Sequence, residues 1–210
     1  LLSPQTARSI WESSQEQLRT MSARSLCVDS QVVALCTTDD PADSLEFHRV
    51  CAAAEDFPVG VFPAWRPDRG MQFDQPELLN AWITRLEAAA DVSIGDSWSG
   101  YRDALQKRHD VFAAHGCRLS DHGNDAFYAA DFSDAEIQRA FAAIRSGVAV
   151  SPGDSALLKS AFLYEGAVMD HASGWTQQFH YGPLRNVNTR LWQQLGPDIG
   201  CDSIGNPGDA

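Results

Sequence analysis

The chain has 210 residues, 44% hydrophobic and 21% charged, with 16 Lys+Arg against 28 Asp+Glu and a formal net charge of -12. That supplies apolar material for one sizeable core and excludes wholesale disorder; so acidic a surface repels phosphate backbones, which argues against a nucleic-acid partner and requires locally placed cations for an anionic substrate. No apolar stretch approaches the ~20 residues of a membrane span, and Leu1-Leu2-Ser3-Pro4 has no basic region ahead of an apolar run, so neither a membrane anchor nor a signal peptide is read here.

Ser3-Pro4 reads as N-cap and first residue of a helix carrying Ala7, Ile10, Trp11, Leu18 and Met21 at helical spacing. Val32 to Cys36 is a continuous apolar run ended by Thr37-Thr38-Asp39-Asp40-Pro41, the pattern of a buried parallel strand. Residues 42–54 are helix-compatible, with Leu45 and Val50 near one face, and Val59 to Phe62 is a second buried-strand candidate ended by Arg66-Pro67-Asp68-Arg69-Gly70. Asp74 and Glu77 resemble a capping box around Pro76, ahead of a helix with Leu78, Leu79, Trp82, Ile83, Leu86 and Ala90 on one face.

A helix is expected from Tyr101 to His115, with Leu105, Val111 and Phe112, stopped by Gly116. Cys117-Arg118-Leu119 is a short strand candidate ended by Ser120-Asp121-His122-Gly123. Ser133 and Glu136 form a capping box for a helix to about Arg145, and Ser151-Pro152 starts a longer one with Leu157, Ala161, Tyr164 and Val168. Thr176 to Phe179 is the last strand candidate, ahead of His180; a final helix carries Leu184, Leu191 and Leu195 and stops at Gly196-Pro197. The expected partition is a helical lead-in over 1–28, a partial barrel over 29–200 and a loop tail over 201–210. Strands alternating with helices imply βαβ units and a parallel sheet. A closed (β/α)8 barrel takes ~250 residues, so this chain supplies roughly half of one.

The five cysteines, Cys27, Cys36, Cys51, Cys117 and Cys201, are odd in number and contain no C-x-x-C pair. Cys36 and Cys117 are expected as small buried hydrophobes, which suits a reducing cytosol and hence a cytoplasmic protein.

Each strand candidate ends in a charged or imidazole-bearing turn, and in a parallel α/β sheet these ends share one edge, which in a barrel is the active-site face. Arg66 is suited to hold a carboxylate in a bidentate fork, aimed by Pro67. His122 and His180 can be metal ligands, electrophiles or proton carriers. Asp39, Asp40 or Asp121 can accept a proton or hold a histidine in one tautomer. Arg185 and Asn186, read at a helix start, can bind substrate oxygens. Bland readings stand beside these: Asp39 and Asp40 as helix caps, Arg66 and Asp68 as a surface pair, the strand-end histidines as structural. The other histidines, His48, His109, His115 and His171, read as surface or satisfied positions, and Lys107-Arg108-His109 as a solvated helix face.

At these residues the chain resembles the uronate isomerase family. The resemblance is carried by Cys36-Thr37-Thr38-Asp39-Asp40-Pro41, Arg66-Pro67-Asp68, Arg118-Leu119-Ser120-Asp121-His122-Gly123, Gly174-Trp175 through Gln178-Phe179-His180, Leu184-Arg185-Asn186 with Asn188-Thr189-Arg190, and Leu195-Gly196-Pro197-Asp198. It implies an α/β barrel of the metal-dependent hydrolase kind, and interconversion of D-glucuronate and D-fructuronate, or D-galacturonate and D-tagaturonate, through an ene-diol. It also implies a divalent cation, usually zinc, that polarises the hexuronate's oxygens. Arg66, His122 and His180 fall at the site by the matches, joined by Asp39, Asp121, Arg185 and Asn186.

The family's His-x-His and closing Asp-x-Arg metal segments are not found in this sequence, so its metal ligands are unknown and it is expected to be the middle of a longer chain. A related metal-dependent hydrolase and an inactive fragment are the alternatives. Exposed half-barrel edges point to a homo-oligomer.

Overall fold

The computed structural model describes residues 1–124 and 126–205. It is a mixed α/β protein whose contacts divide into two compact units, Leu1–Cys36 with Glu46–Phe62, and Thr37–Leu45 with Pro63–Ala210.

The first unit holds helices α1 (Ala7–Leu18) and α2 (Ala23–Asp29), strand β1 (Ala34–Cys36), helix α3 (Glu46–Ala52) and strand β2 (Gly60–Phe62). Helix α1 starts later than Ser3-Pro4 indicates, because the Ser3 and Thr6 hydroxyls interlock at 3.0 Å and close a separate turn first. Ser22 caps α2 in a reciprocal box with Ser25. β1 and β2 pair in parallel with Leu35 opposite Val61. The apolar run was expected to be covered on both sides; instead Val33 and Cys36 are exposed, so the strand pair lacks that cover. The helix expected over 42–54 forms only at α3, where Val50 is exposed; Leu45 precedes it with a left-handed backbone, φ 56, and is buried in the second unit.

The second unit contains a 3-10 turn (Asp68–Met71), α4 (Pro76–Ala90), α5 (Trp98–Ala114), β3 (Leu119–Asn124), α6 (Asp134–Arg145), α7 (Pro152–Ser173), β4 (Thr176–Tyr181), β5 (Pro183–Leu184), α8 (Thr189–Leu195) and β6 (Ser203–Ile204). β3 and β4 are parallel, and single parallel bridges join Asp39 to Trp65 and Trp65 to Ser120. The parallel order across this unit is therefore Asp39, Trp65, Ser120, Gln177. Its core lies among α4 to α7, where Leu79, Ile83, Tyr101, Phe112, Phe141 and Leu158 are fully buried. No described helix is long and apolar enough to cross a membrane.

Several expectations change here. The box at Asp74 and Glu77 does not form: Pro76 occupies the first helical position, which its missing N–H suits, so Gln75 stands at the N-cap without a side-chain bond. The box at Ser133 and the cap at Ser151 do form. On α7 the buried face carries Leu158, Ala161, Phe162 and Met169, while Tyr164 and Val168 are exposed. β3 runs to Asn124 and β4 to Tyr181, so Asp121, His122 and His180 are strand residues rather than loop residues. Leu184 sits in β5, paired antiparallel to β6 in the segment read as tail, of which 206–210 lie outside the described residues. Arg185 and Asn186 consequently precede α8 instead of starting it, and Asn188 is its cap. Cys117 is buried as expected.

Arg108 and His109 are not a solvated face, being 7% and 1% exposed. Arg108 donates to the carbonyls of Pro41 (2.7 Å), Ala89 (3.1 Å) and Asp43 (2.7 Å). It thus satisfies an orphan carbonyl near the end of α4 and two in the 41–43 loop. Arg108→Met leaves these carbonyls unpaired, and chemical denaturation is expected to show a loss of ~2–4 kcal/mol, with Arg108→Lys recovering only part of it. A loss within measurement error would mean that water replaces the guanidinium.

Candidate active site

Alternation along β3 sends Asp121 and Gly123 to one face and Ser120, His122 and Asn124 to the other. β4 adds Gln178 and His180 to the first face, since Asp121 is level with Gln178 and Gly123 with His180. Arg66 arrives beside them on the segment bridged at Trp65, its own N–H donating to Asp39 O at 2.9 Å.

The Arg66 guanidinium is held by two carboxylates, Nε donating to Asp68 Oδ2 at 2.8 Å and Nη1 lying 3.4 Å from Asp121 Oδ2. Burial pulls the Arg66 pKa down, but the hydrogen bond and charge of Asp68, with the charge of Asp121, outweigh it and leave the pKa raised. Asp121 Oδ1 accepts from His180 Nδ1 at 2.5 Å and from Gln178 Nε2 at 3.2 Å. With Nδ1 donating, the neutral His180 ring keeps its lone pair on Nε2, within 3.4 Å of the Gln178 amide. Arg66, Asp121 and His180 are thus connected, with Gln178 and Asp68 as added members. Gln178 was not among the site candidates, although its spacing of two from His180 places both on one strand face.

The remaining candidates stand around this group or apart from it. Asp39 accepts from Thr37 Oγ1 at 2.6 Å, and Asp40 from Trp82 Nε1 at 2.9 Å and Ala42 N at 2.9 Å, so Asp40 closes a turn rather than capping a helix. A cleft of about 590 Å³ is lined by Asp39, Asp40, Arg66, Asp68 and Arg185. A second, of about 410 Å³, is lined by Arg66, His180, Tyr181 and Arg185. Arg185 Nη1 pairs with Asp202 at 2.5 Å, and the Asn186 N–H donates to the same carboxylate at 2.9 Å. These bonds, the Asn186 amide first, hold the Asp202 pKa below its usual value. A more apolar groove, of about 470 Å³ and lined by Phe127, Tyr128, Phe132 and Phe179, has no cationic side chain among its described wall residues.

His122 is on the opposite face of β3 from Asp121, 1% exposed and stacked on Phe179. Its Nε2 is 3.1 Å from Ser120 Oγ, which donates to Asp170 Oδ2 at 2.6 Å, while Asp170 Oδ1 meets His109 Nε2 at 3.0 Å. Because the Ser120 hydrogen goes to the carboxylate, Ser120 accepts from His122, whose proton is therefore on Nε2. Asp170, fifty residues from Ser120, carries no sequence signal of this role.

Among the described residues no group of three or more His, Cys, Asp or Glu is arranged to hold a metal ion. Asp121, the acid paired with His180, already has both oxygens engaged. The described residues do not fit a metal centre.

The glucuronate isomerase family profile matches residues 1–209. The chain is similar to the uronate isomerases of Cellvibrio japonicus (43% identical over 208 residues, 98% of this chain and 44% of that protein) and Bacteroides thetaiotaomicron (44% over 207 residues, again 98% and 44%). Among solved structures it is similar to a uronate isomerase from Thermotoga maritima, with TM-score 0.90 and 30% identity, covering 98% of this chain and 45% of that one. It is also similar to a glucuronate isomerase from Caulobacter crescentus, with TM-score 0.79 and 29% identity, covering 88% and 38%. The chain spans less than half the length of the curated relatives it matches.

Burial, opposed by Asp170, lowers the His122 pKa below 6.5. Between that lowered value and about 6.5 the unfolded chain binds a proton that the folded chain refuses. The stability this histidine contributes is therefore complete above about pH 6.5 and is lost as pH falls below it. In melting curves taken from about pH 7 to 5, His122→Gln is expected to decline less steeply with acid than the parent. Parallel declines would assign the acid sensitivity to other groups.

Proposed function

The chain belongs to the glucuronate isomerase family, and we propose that the complete polypeptide carrying it is an aldose–ketose isomerase acting on hexuronates. In this reading D-glucuronate and D-fructuronate, or D-galacturonate and D-tagaturonate, are interconverted by proton transfer between C1 and C2. The parallel order Asp39, Trp65, Ser120, Gln177 is read as part of a (β/α)8 barrel of the metal-dependent hydrolase kind, with residues 29–200 as the portion present. The enzyme is read as a cytoplasmic homo-oligomer. The divalent cation, zinc by resemblance, would need ligands that the described residues do not supply.

One observation carries the reading: Arg66, Asp121 and His180 form a connected group on one strand face, with Arg66 in the wall of both polar clefts. In a chain of net charge -12, an anionic sugar is attracted only where a cation is fixed locally. Arg66 retains N–H groups beyond those given to Asp68 and Asp121, and these receive the substrate carboxylate. His180 offers Nε2 as proton acceptor, and Asp121 at Nδ1 stabilises the imidazolium that results. A proton leaves C2 and one is delivered to O1, giving the ene-diol; loss of the O2 proton and protonation at C1 complete the ketose. Asp39 and Arg185 on the cleft wall, with Asn186, are assigned to substrate hydroxyls, Arg185 exchanging Asp202 for substrate. His122, with Ser120 and Asp170 behind it, is assigned to holding β3 in place.

The test is formation of the 2-keto acid from D-glucuronate or D-galacturonate by the complete polypeptide, with ester and amide substrates alongside. Arg66→Ala is expected to raise KM about a hundredfold, the ~3 kcal/mol of a charge-assisted pair, with a much smaller change in kcat. His180→Asn is expected to lower kcat by about 10²–10⁴ at similar KM. Hydrolysis without aldose–ketose exchange, or an unchanged KM in Arg66→Ala, would remove the reading.

A further inference from the structure

Arg66 is a long, flexible side chain, yet a clamp must present its hydrogens in one direction. Asp68 bridges two elements to achieve this: Oδ2 accepts from Arg66 Nε at 2.8 Å and Oδ1 accepts from the Gly123 N–H of β3 at 3.0 Å. Gly123 itself lies against this Arg66–Asp68 pair. A Cβ at that position would fall 2.6 Å from Arg66 Nη2 and 2.8 Å from Asp68 Oδ2, so any larger residue displaces both.

Asp68 is in turn anchored from below. It opens the 3-10 turn that follows Pro67, closed by Gly70 N–H donating to Pro67 O at 2.8 Å. Gly70 O accepts from the buried Tyr101 hydroxyl at 2.9 Å. A continuous path thus runs from the core of the second unit through the turn to the guanidinium.

We propose that Asp68 and Gly123 are positioning residues that aim Arg66 at the substrate carboxylate, the pairing of Arg66 with Asp68 being the device that makes Arg66 a binding group rather than a competing surface contact. The proposal rests on the reading of Arg66 as the carboxylate clamp. Asp68 uses both of its oxygens as acceptors. An asparagine in its place would have one, and its amide hydrogens would face either Arg66 Nε–H or the Gly123 N–H, donor against donor.

The experiment is steady-state kinetics of the complete polypeptide with a hexuronate, for Asp68→Asn, Gly123→Ala, Arg66→Ala and the double variant Asp68→Asn/Arg66→Ala, with melting temperatures as a control on folding. Asp68→Asn and Gly123→Ala are expected to raise KM about tenfold, the loss of one hydrogen bond to a charged group, with kcat within about twofold of the parent. Asp68→Asn is expected to add nothing to KM once Arg66 is gone. Additive effects, or a fall in kcat and melting temperature at constant KM, would overturn the positioning role. If Arg66→Ala raises KM while Asp68→Asn and Gly123→Ala leave it unchanged, only the positioning proposal fails. If Arg66→Ala itself leaves KM unchanged, the clamp reading fails and this proposal with it.

Discussion

Trp65 is hydrogen-bonded through its backbone on the β3 side twice, its N–H donating to Leu119 O at 3.2 Å and its carbonyl accepting from Asp121 N at 2.8 Å. The next residue, Arg66, is tied on the other side, its N–H donating to Asp39 O at 2.9 Å. These bonds fix the register of three segments far apart in sequence. Register decides which side chains share a face, because a slip of one residue would send Asp121 away from Arg66 and bring Ser120 or His122 in its place. The Trp65 ring secures the same register from below, buried and edge-on to Phe112 at 5.0 Å and His109 at 5.4 Å.

Once the register is set, electrostatics explains the rest of the polar face. Arg66 is only part-buried, so its pairs with Asp68 and Asp121 are weakened by solvent and contribute mainly direction. The two oxygens of Asp121 serve different partners, one facing Arg66 and the other accepting from His180 and Gln178. Losing that carboxylate would release two cleft groups together, whereas losing Gln178 would release one donor. The acidic surface makes this arrangement selective, since an anion arriving elsewhere on the chain meets repulsion.

The helical half of the second unit was legible because periodicity reports burial: of the stripe read on α4, Leu79, Trp82, Ile83, Leu86 and Ala90 are its buried face, while Leu78, at the start of the helix, is exposed. The caps at Ser133 and Ser151 were legible for the same local reason. Strand lengths were not, because a reading that seeks apolar runs stops at Leu119 and at Phe179, whereas both strands continue through polar residues. Two of those polar residues have tertiary partners that hold them in the ladder, Asp170 for Ser120 and Asp121 for His180. Arg108 and His109 were misread by the same limitation, since the carbonyls and carboxylate that draw them inward are sixty or so residues away. Arg66, Asp121 and His180, which the structure brings together, were read as candidates from their positions at strand ends. The separation of His122 from them is a matter of alternation, which became readable only once β3 was known to include all of 119–124.

β3 therefore separates two chemically different environments by the thickness of one strand. On one side stand the ion-paired Arg66 and Asp121 with the exposed His180; on the other, His122, Ser120, Asp170 and His109 form a dry chain in which burial lowers the His122 pKa. A buried carboxylate with two donors in fixed positions leaves little freedom to the strand that contributes one of them. Ser120 and Asp121 are adjacent, so a change that loosens the Ser120–Asp170 bond moves the backbone that aims Asp121.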